Sequence, residues 1–188
     1  MAIPIELHPD RLFPLDANCR SVARSLYHEV IDLPIISPHG HTDPSWFADN
    51  NNFSDPHELL IAPDHYLLRM LYSQGVRMAD MGIATRKKIA AQTDIAETEP
   101  VADPRQAWRL FAKHTHLFRG TPTGFWLNHV FSDIFSQVDQ LNETNADDYF
   151  DSISEQLQKD ELRPREIFDR SKIEFLATTE SPIDTLEH

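Results

Sequence analysis

Apolar residues recur every three or four positions along most of the chain and break that period in only two short runs. Over 17–31, Val22, Leu26 and Val30 form a stripe at spacing four, the repeat of one helical face, with Asp16 placed to cap it. Tyr149, Ile153 and Leu157 repeat the pattern over 145–159. The stretch 64–74 (Asp-His-Tyr-Leu-Leu-Arg-Met-Leu-Tyr-Ser-Gln) predicts a helix with Gly75 as its C-terminal cap. Segments 104–117 and 122–138 predict helices whose large side chains, among them Trp108, Leu110, Phe111, Phe125, Trp126, Leu127, Phe131 and Phe135, pack as core. Residues 78–93 are a weaker helical stretch, and 97–102 a polar linker. The two exceptions are Leu33 to Ser37, which predicts a buried strand running into Pro38-His39-Gly40-His41, and Lys172 to Thr178, which predicts a second strand. The chain thus reads as mostly helical, with two strands far apart in sequence. Two strands alone leave both edges unpaired, so this pattern is expected of the front part of a longer α/β chain.

Thirteen prolines stand against five glycines, and their placement sharpens the helix starts. Asp43-Pro44, Asp55-Pro56, Asp103-Pro104, Thr121-Pro122 and Ser181-Pro182 each put a side-chain acceptor before a residue that has no amide to satisfy. Asp55 with Glu58 has capping-box spacing, and Arg163-Pro164 opens a further short helix. With 188 residues and 40% apolar content, the chain suffices for one domain with a sizeable core. A formal charge of −13 argues against nucleic acid and anionic membranes as partners. No apolar run is long enough to span a bilayer, and no leader peptide is visible. The single cysteine, Cys19, excludes an internal disulfide, fits a cytoplasmic setting and is expected to be a small buried residue on its helix.

The candidate chemistry lies in two places. His39 and His41 flank Gly40 at the C-terminal end of an apolar strand, where alternate residues point the same way about 6.6 Å apart along the chain. Two imidazoles so placed reach one divalent ion, and Gly40 leaves room for a close approach. Two ligands are fewer than a catalytic zinc site uses, and two exposed loop histidines would carry the same letters. His114 and His116 have the same spacing, but on a helix they diverge by about 200°, so they read as surface or helix-end residues. The second place is His65, Tyr66 and Arg69, which share a helical face through i, i+3 and i, i+4 spacing. There a phenol can donate to a carbonyl oxygen and a guanidinium can hold a carboxylate in two parallel bonds; a core Tyr and a surface-paired Arg is the structural alternative. Asp147, Asp148 and Asp151 read as a solvated helix face.

Residues 33–44, Leu-Pro-Ile-Ile-Ser-Pro-His-Gly-His-Thr-Asp-Pro, resemble the first barrel strand of the uronate (glucuronate/galacturonate) isomerases of the amidohydrolase superfamily. Residues 63–75, Phe-Arg-Gly-Thr-Pro at 118–122 and Phe-Leu-Ala-Thr-Thr-Glu-Ser-Pro at 175–182 match in the same order. The resemblance implies a (β/α)8 TIM barrel interrupted by a large helical insertion. On that layout 1–44 form an arm, a helix and the first strand, 45–171 the insertion, and 172–188 the second strand and the start of a helix. It implies the isomerisation of D-glucuronate to D-fructuronate and of D-galacturonate to D-tagaturonate by proton transfer between C2 and C1. It further implies that His39 and His41 ligate a divalent metal, zinc by ligand type, and that catalytic Tyr66, with His65 beside it, faces the sugar; Arg69 as clamp for the substrate carboxylate is an inference from helix geometry. The family's remaining metal-binding and base carboxylate lies on its last barrel strand, outside this sequence. The 188 residues alone are therefore expected to be inactive and to self-associate through uncovered strands, while the whole protein takes a hexuronate as its small-molecule partner. A non-catalytic helical interaction module and a metal-dependent hydrolase of the same superfamily are the alternatives.

Overall fold

Side-chain caps start the helices where the Asp-Pro and Thr-Pro junctions require them. The structure is a computed structural model and describes residues 2–84 and 101–179. In chain order the elements are α1 (Ala17–Val30), β1 (Ile35–Gly40), α2 (Pro44–Asp49), α3 (Pro56–Leu60), α4 (His65–Ser73), α5 (Pro104–His114), α6 (Pro122–His129), α7 (Ala146–Leu157), α8 (Pro164–Arg170) and β2 (Ile173–Thr178). Asp16, Asp43, Asp55, Asp64, Asp103 and Thr121 each accept bonds from first-turn amides of the helix that follows. Around α3 the reciprocal bond runs one residue early, from the Ser54 amide to Glu58 Oε2 at 2.7 Å. At the other end of α4, Gly75 (φ +85°) donates to Tyr72 and Val76 to Leu71, which closes the helix in the left-handed cap its glycine predicts. Because Asp64 Oδ1 alone holds the Tyr66 and Leu67 amides, at 2.9 and 3.0 Å, Asp64→Ala is expected to cost about 1 kcal/mol. Hydrogen exchange checks this: those two amides should exchange faster while α7 stays protected.

The chain divides into two compact units, Met1–Ile5 with Phe53–Lys159, and Glu6–Asn52 with Asp160–His188. The first is helical. Its core is built from Trp108 and Phe111 of α5, Phe131 and Phe135, Leu67 and Leu71 of α4, and Tyr149, Ile153 and Leu157 of α7, all buried. Arg105 pairs with Asp147 and Asp151 and lies 4.3 Å over the Phe150 ring, while Arg109 holds Asp147 at 2.9 Å. The Arg109 and Arg105 guanidiniums hold the Asp147 carboxyl below the usual carboxylate range. The aspartates of α7 therefore serve α5–α7 pairing as well as solvation.

The second unit holds the sheet. β1 and β2 pair in parallel, Ile36 opposite Phe175 and Ser37 opposite Leu176. Gly40 then meets Thr178, so three steps on β1 face two on β2 and the register slips across Pro38, which has no amide to give the ladder. Arg165 closes α2 onto α8: its side chain donates to the Phe47 and Ala48 carbonyls and its amide to Asn50 Oδ1, with Phe47 edge-on to Phe168.

Several expectations change. The Leu33–Ser37 strand forms but is not buried: Leu33, Ile35 and Ile36, like Phe175 on β2, are each more than half exposed. Its composition suits cover on both faces, and no described residue supplies that cover. For the same reason the Val22, Leu26 and Val30 stripe of α1 is exposed, and Cys19, expected to be buried, is exposed too. The helix predicted over 122–138 ends at His129 and continues as a π-helical turn, Val130–Ile134, which leaves Phe125 and Trp126 exposed. The weak stretch from 78 contains only a 3-10 turn, Ala79–Met81, within the described residues. The rest of that stretch, most of the 97–102 linker and the Ser181-Pro182 helix start lie outside them. Among the described residues, no helix is long and apolar enough to cross a membrane.

Candidate functional site

The two strand-end histidines converge. His39 leaves β1 just before its last residue, and His41 follows directly after it. Their Nε2 atoms are 3.0 Å apart and their ring centroids 4.9 Å, at 68°. Both side chains are exposed at the C-terminal end of the strand, the end at which α/β folds carry their ligands. The pair fits a shared ion. With each nitrogen ~2.0–2.1 Å from a zinc-type cation, a 3.0 Å chord corresponds to an N–metal–N angle of about 95°, between the tetrahedral and octahedral values. Among the described residues no third histidine, cysteine or carboxylate joins them.

The close approach foreseen at Gly40 is made by β2. A Cβ at position 40 would sit 3.0 Å from Leu176 Cδ1 and 3.1 Å from the Ala177 carbonyl oxygen. The Gly40 carbonyl in turn accepts a bond from Thr179 Oγ1 at 3.1 Å. Sequence reasoning missed Thr179, because a hydroxyl 139 residues downstream carries no local signal. Asp43 Oδ1 accepts from the Ser45 amide at 2.9 Å and so starts α2 right after the histidine pair.

His65, Tyr66 and Arg69 lie together at the start of α4, in the helical unit. Tyr66 is 64% exposed. The Arg69 guanidinium carbon is 5.4 Å from the Tyr66 ring centre, as the i, i+3 spacing requires. The His65 ring lies against the other aromatic, centroids 4.2 Å apart. The structural alternative of a core tyrosine does not hold, since the phenol points to solvent beside a cation. His114 and His116 form no such pair. Each Nδ1 bonds a main-chain carbonyl of its own turn, Leu110 and Lys113, and the rings stack 6.1 Å apart. The α-helix ends at His114 and a tighter 3-10 turn follows, so both are the helix-end residues that the spacing predicts. His57, which sequence reasoning passed over, is buried and donates Nε2–H to the Met81 carbonyl at 2.8 Å, a packing role.

The sequence profile of a family described as glucuronate isomerase matches residues 13–188. A protein named uronate isomerase from Caulobacter vibrioides is 55% identical over 188 residues, covering 100% of this chain and 37% of its own. The crystal structure of glucuronate isomerase from Caulobacter crescentus superposes with a TM-score of 0.86 at 56% identity, over 97% of this chain and 36% of that one. That of uronate isomerase from Thermotoga maritima gives 0.76 at 26% identity, over 97% and 35%. The chain thus spans just over a third of the length of these relatives.

Proposed function

The chain belongs to the glucuronate isomerase family, and on that premise we propose that it carries part of the active centre of a cytoplasmic hexuronate isomerase. The reaction interconverts D-glucuronate with D-fructuronate, and D-galacturonate with D-tagaturonate, in hexuronate catabolism. The carrying observation is the convergence of His39 and His41 to 3.0 Å at the C-terminal end of a parallel strand. We place β1 and β2 as the first two strands of a (β/α)8 TIM barrel of the amidohydrolase type, with 45–171 as an insertion; their parallel pairing supports that placement.

Conversion of the aldose to the ketose moves one hydrogen from C2 to C1 while the carbonyl passes from C1 to C2 through an enediolate. The step needs a base over the carbon, a donor at the carbonyl oxygen and a cationic grip on the carboxylate. In this reading His39 and His41 hold a divalent cation, zinc by ligand type, which when bound supplies positive charge where the enediolate develops negative charge. Tyr66 donates its phenolic hydrogen toward the carbonyl oxygen, Arg69 grips the carboxylate through its fork of N–H donors, and His65 lines the sugar beside Tyr66. The exposed apolar strand faces support self-association of the 188 residues when they are taken alone.

Two arms test the reading. The full-length protein is expected to isomerise both uronates, to lose that activity on chelation and to regain it with zinc. Failure on both sugars, or indifference to chelation, overturns the reading. The isolated 188 residues are expected to be inactive, because two protein ligands are fewer than the three a catalytic zinc site uses.

A further inference from the structure

We propose that Thr179 is a positioning residue for the histidine pair, acting through the peptide of Gly40. The inference rests on the metal reading above and adds to it the part of the fold that aims the two rings.

The need for such a device follows from the local backbone. His39 and His41 lie at the end of a strand whose register slips across Pro38, so the ladder itself does little to fix their direction. Both imidazoles are exposed. The backbone between them is held by β2 and by the residue that follows it. β2 presses so close that a Cβ at position 40 would stand 3.0 Å from Leu176 Cδ1 and 3.1 Å from the Ala177 carbonyl oxygen. Directly after β2, the Thr179 hydroxyl donates to the Gly40 carbonyl at 3.1 Å. That carbonyl belongs to the peptide that leads into His41, and the Gly40 amide belongs to the peptide that follows His39. Fixing this one residue therefore sets both Cα–Cβ directions, and through them the 3.0 Å separation of the two Nε2 atoms. Groups behind the ligands commonly act this way, by orienting imidazoles that would otherwise pay rotational entropy on binding. Here the supporting group bonds the backbone between two ligands rather than either ring. Thr179 is exposed, so its replacement disturbs no core.

The test uses the full-length protein, freed of metal and titrated with zinc against a chromophoric chelator. Thr179→Val keeps the shape and removes the donor; it is expected to weaken zinc binding about 10- to 100-fold, the range seen when an orienting partner is lost. Thr179→Ser is expected to restore it. With cobalt(II) in place of zinc, the visible ligand-field bands of Thr179→Val should shift at saturating metal, whereas the Ser variant matches the parent. A general loss of stability would not produce that pattern. His39→Asn is the control for the underlying reading. If it binds zinc as the parent does, the metal reading fails and this proposal with it. If it loses zinc while Thr179→Val binds as tightly as the parent, or if Ser and Val weaken binding alike, the positioning role of the hydroxyl is overturned and the metal pair stands.

Discussion

Replacing His39 with Asn in the full-length protein is expected to lower kcat/KM for both uronates about 10³-fold, the scale of losing several kcal/mol of charge stabilisation at a metal centre. The argument is the geometry of the pair. On the proposed reading, the two Nε2 atoms 3.0 Å apart act as one chelate, and removing either leaves a single exposed imidazole with far weaker hold on a cation. His41→Asn should therefore cost as much as His39→Asn. The double replacement should cost little more than either single one, because groups that act as a unit are not additive. Steady-state assays on the three variants, with metal content measured on each, check both parts. Single variants that keep full metal and full turnover would remove the centre. Two moderate effects that multiply in the double variant would mean that the histidines act separately and share no ion.

What the sequence made legible follows the range of the interactions involved. The caps of α2, α3, α5 and α6 could be read because an acceptor and a proline one residue later settle the first turn within a few atoms' reach. Gly75 was readable for the same reason, since only a left-handed residue ends α4 in that way. That His39 and His41 share a side was also readable locally, from the two-residue repeat of an extended backbone, whereas what holds that backbone past the slip at Pro38 was not. The Arg165 clamp on the end of α2 was not legible, nor was the Thr179 bond to Gly40; each joins residues more than a hundred positions apart. The exposure of Ile35 and Ile36 marks a different limit. An apolar strand declares that it needs cover, but not which residues supply it. In α6 the misreading was one of continuity: its apolar spacing runs on past His129, while the backbone shifts to a wider turn that the pattern does not encode.

Trp108→Ala is expected to be the most damaging single change in the helical unit, destabilising it by about 3–5 kcal/mol. The indole is fully buried on α5 and packs against Phe111, Phe131 and Phe150 at 5.6–6.4 Å between centroids. Its Nε1–H donates to the Ala146 carbonyl at 2.9 Å, at the first turn of α7. Truncation therefore costs twice over, leaving a large cavity and a buried carbonyl without its donor. Trp108→Phe separates the two contributions: it keeps much of the volume and removes only the bond, so its cost should be well below that of alanine. The ion pairs of Arg105 and Arg109 with Asp147 also join α5 to α7, but they are solvent-exposed and worth too little to compensate. Native-state hydrogen exchange on the full-length protein reads the effect locally. Protection of the α5 and α7 amides should fall together in Trp108→Ala, and less in Trp108→Phe. If the alanine variant kept parental protection on both helices, the helical core would have to rest on Leu67, Leu71 and Met81 rather than on the aromatic cluster around Trp108.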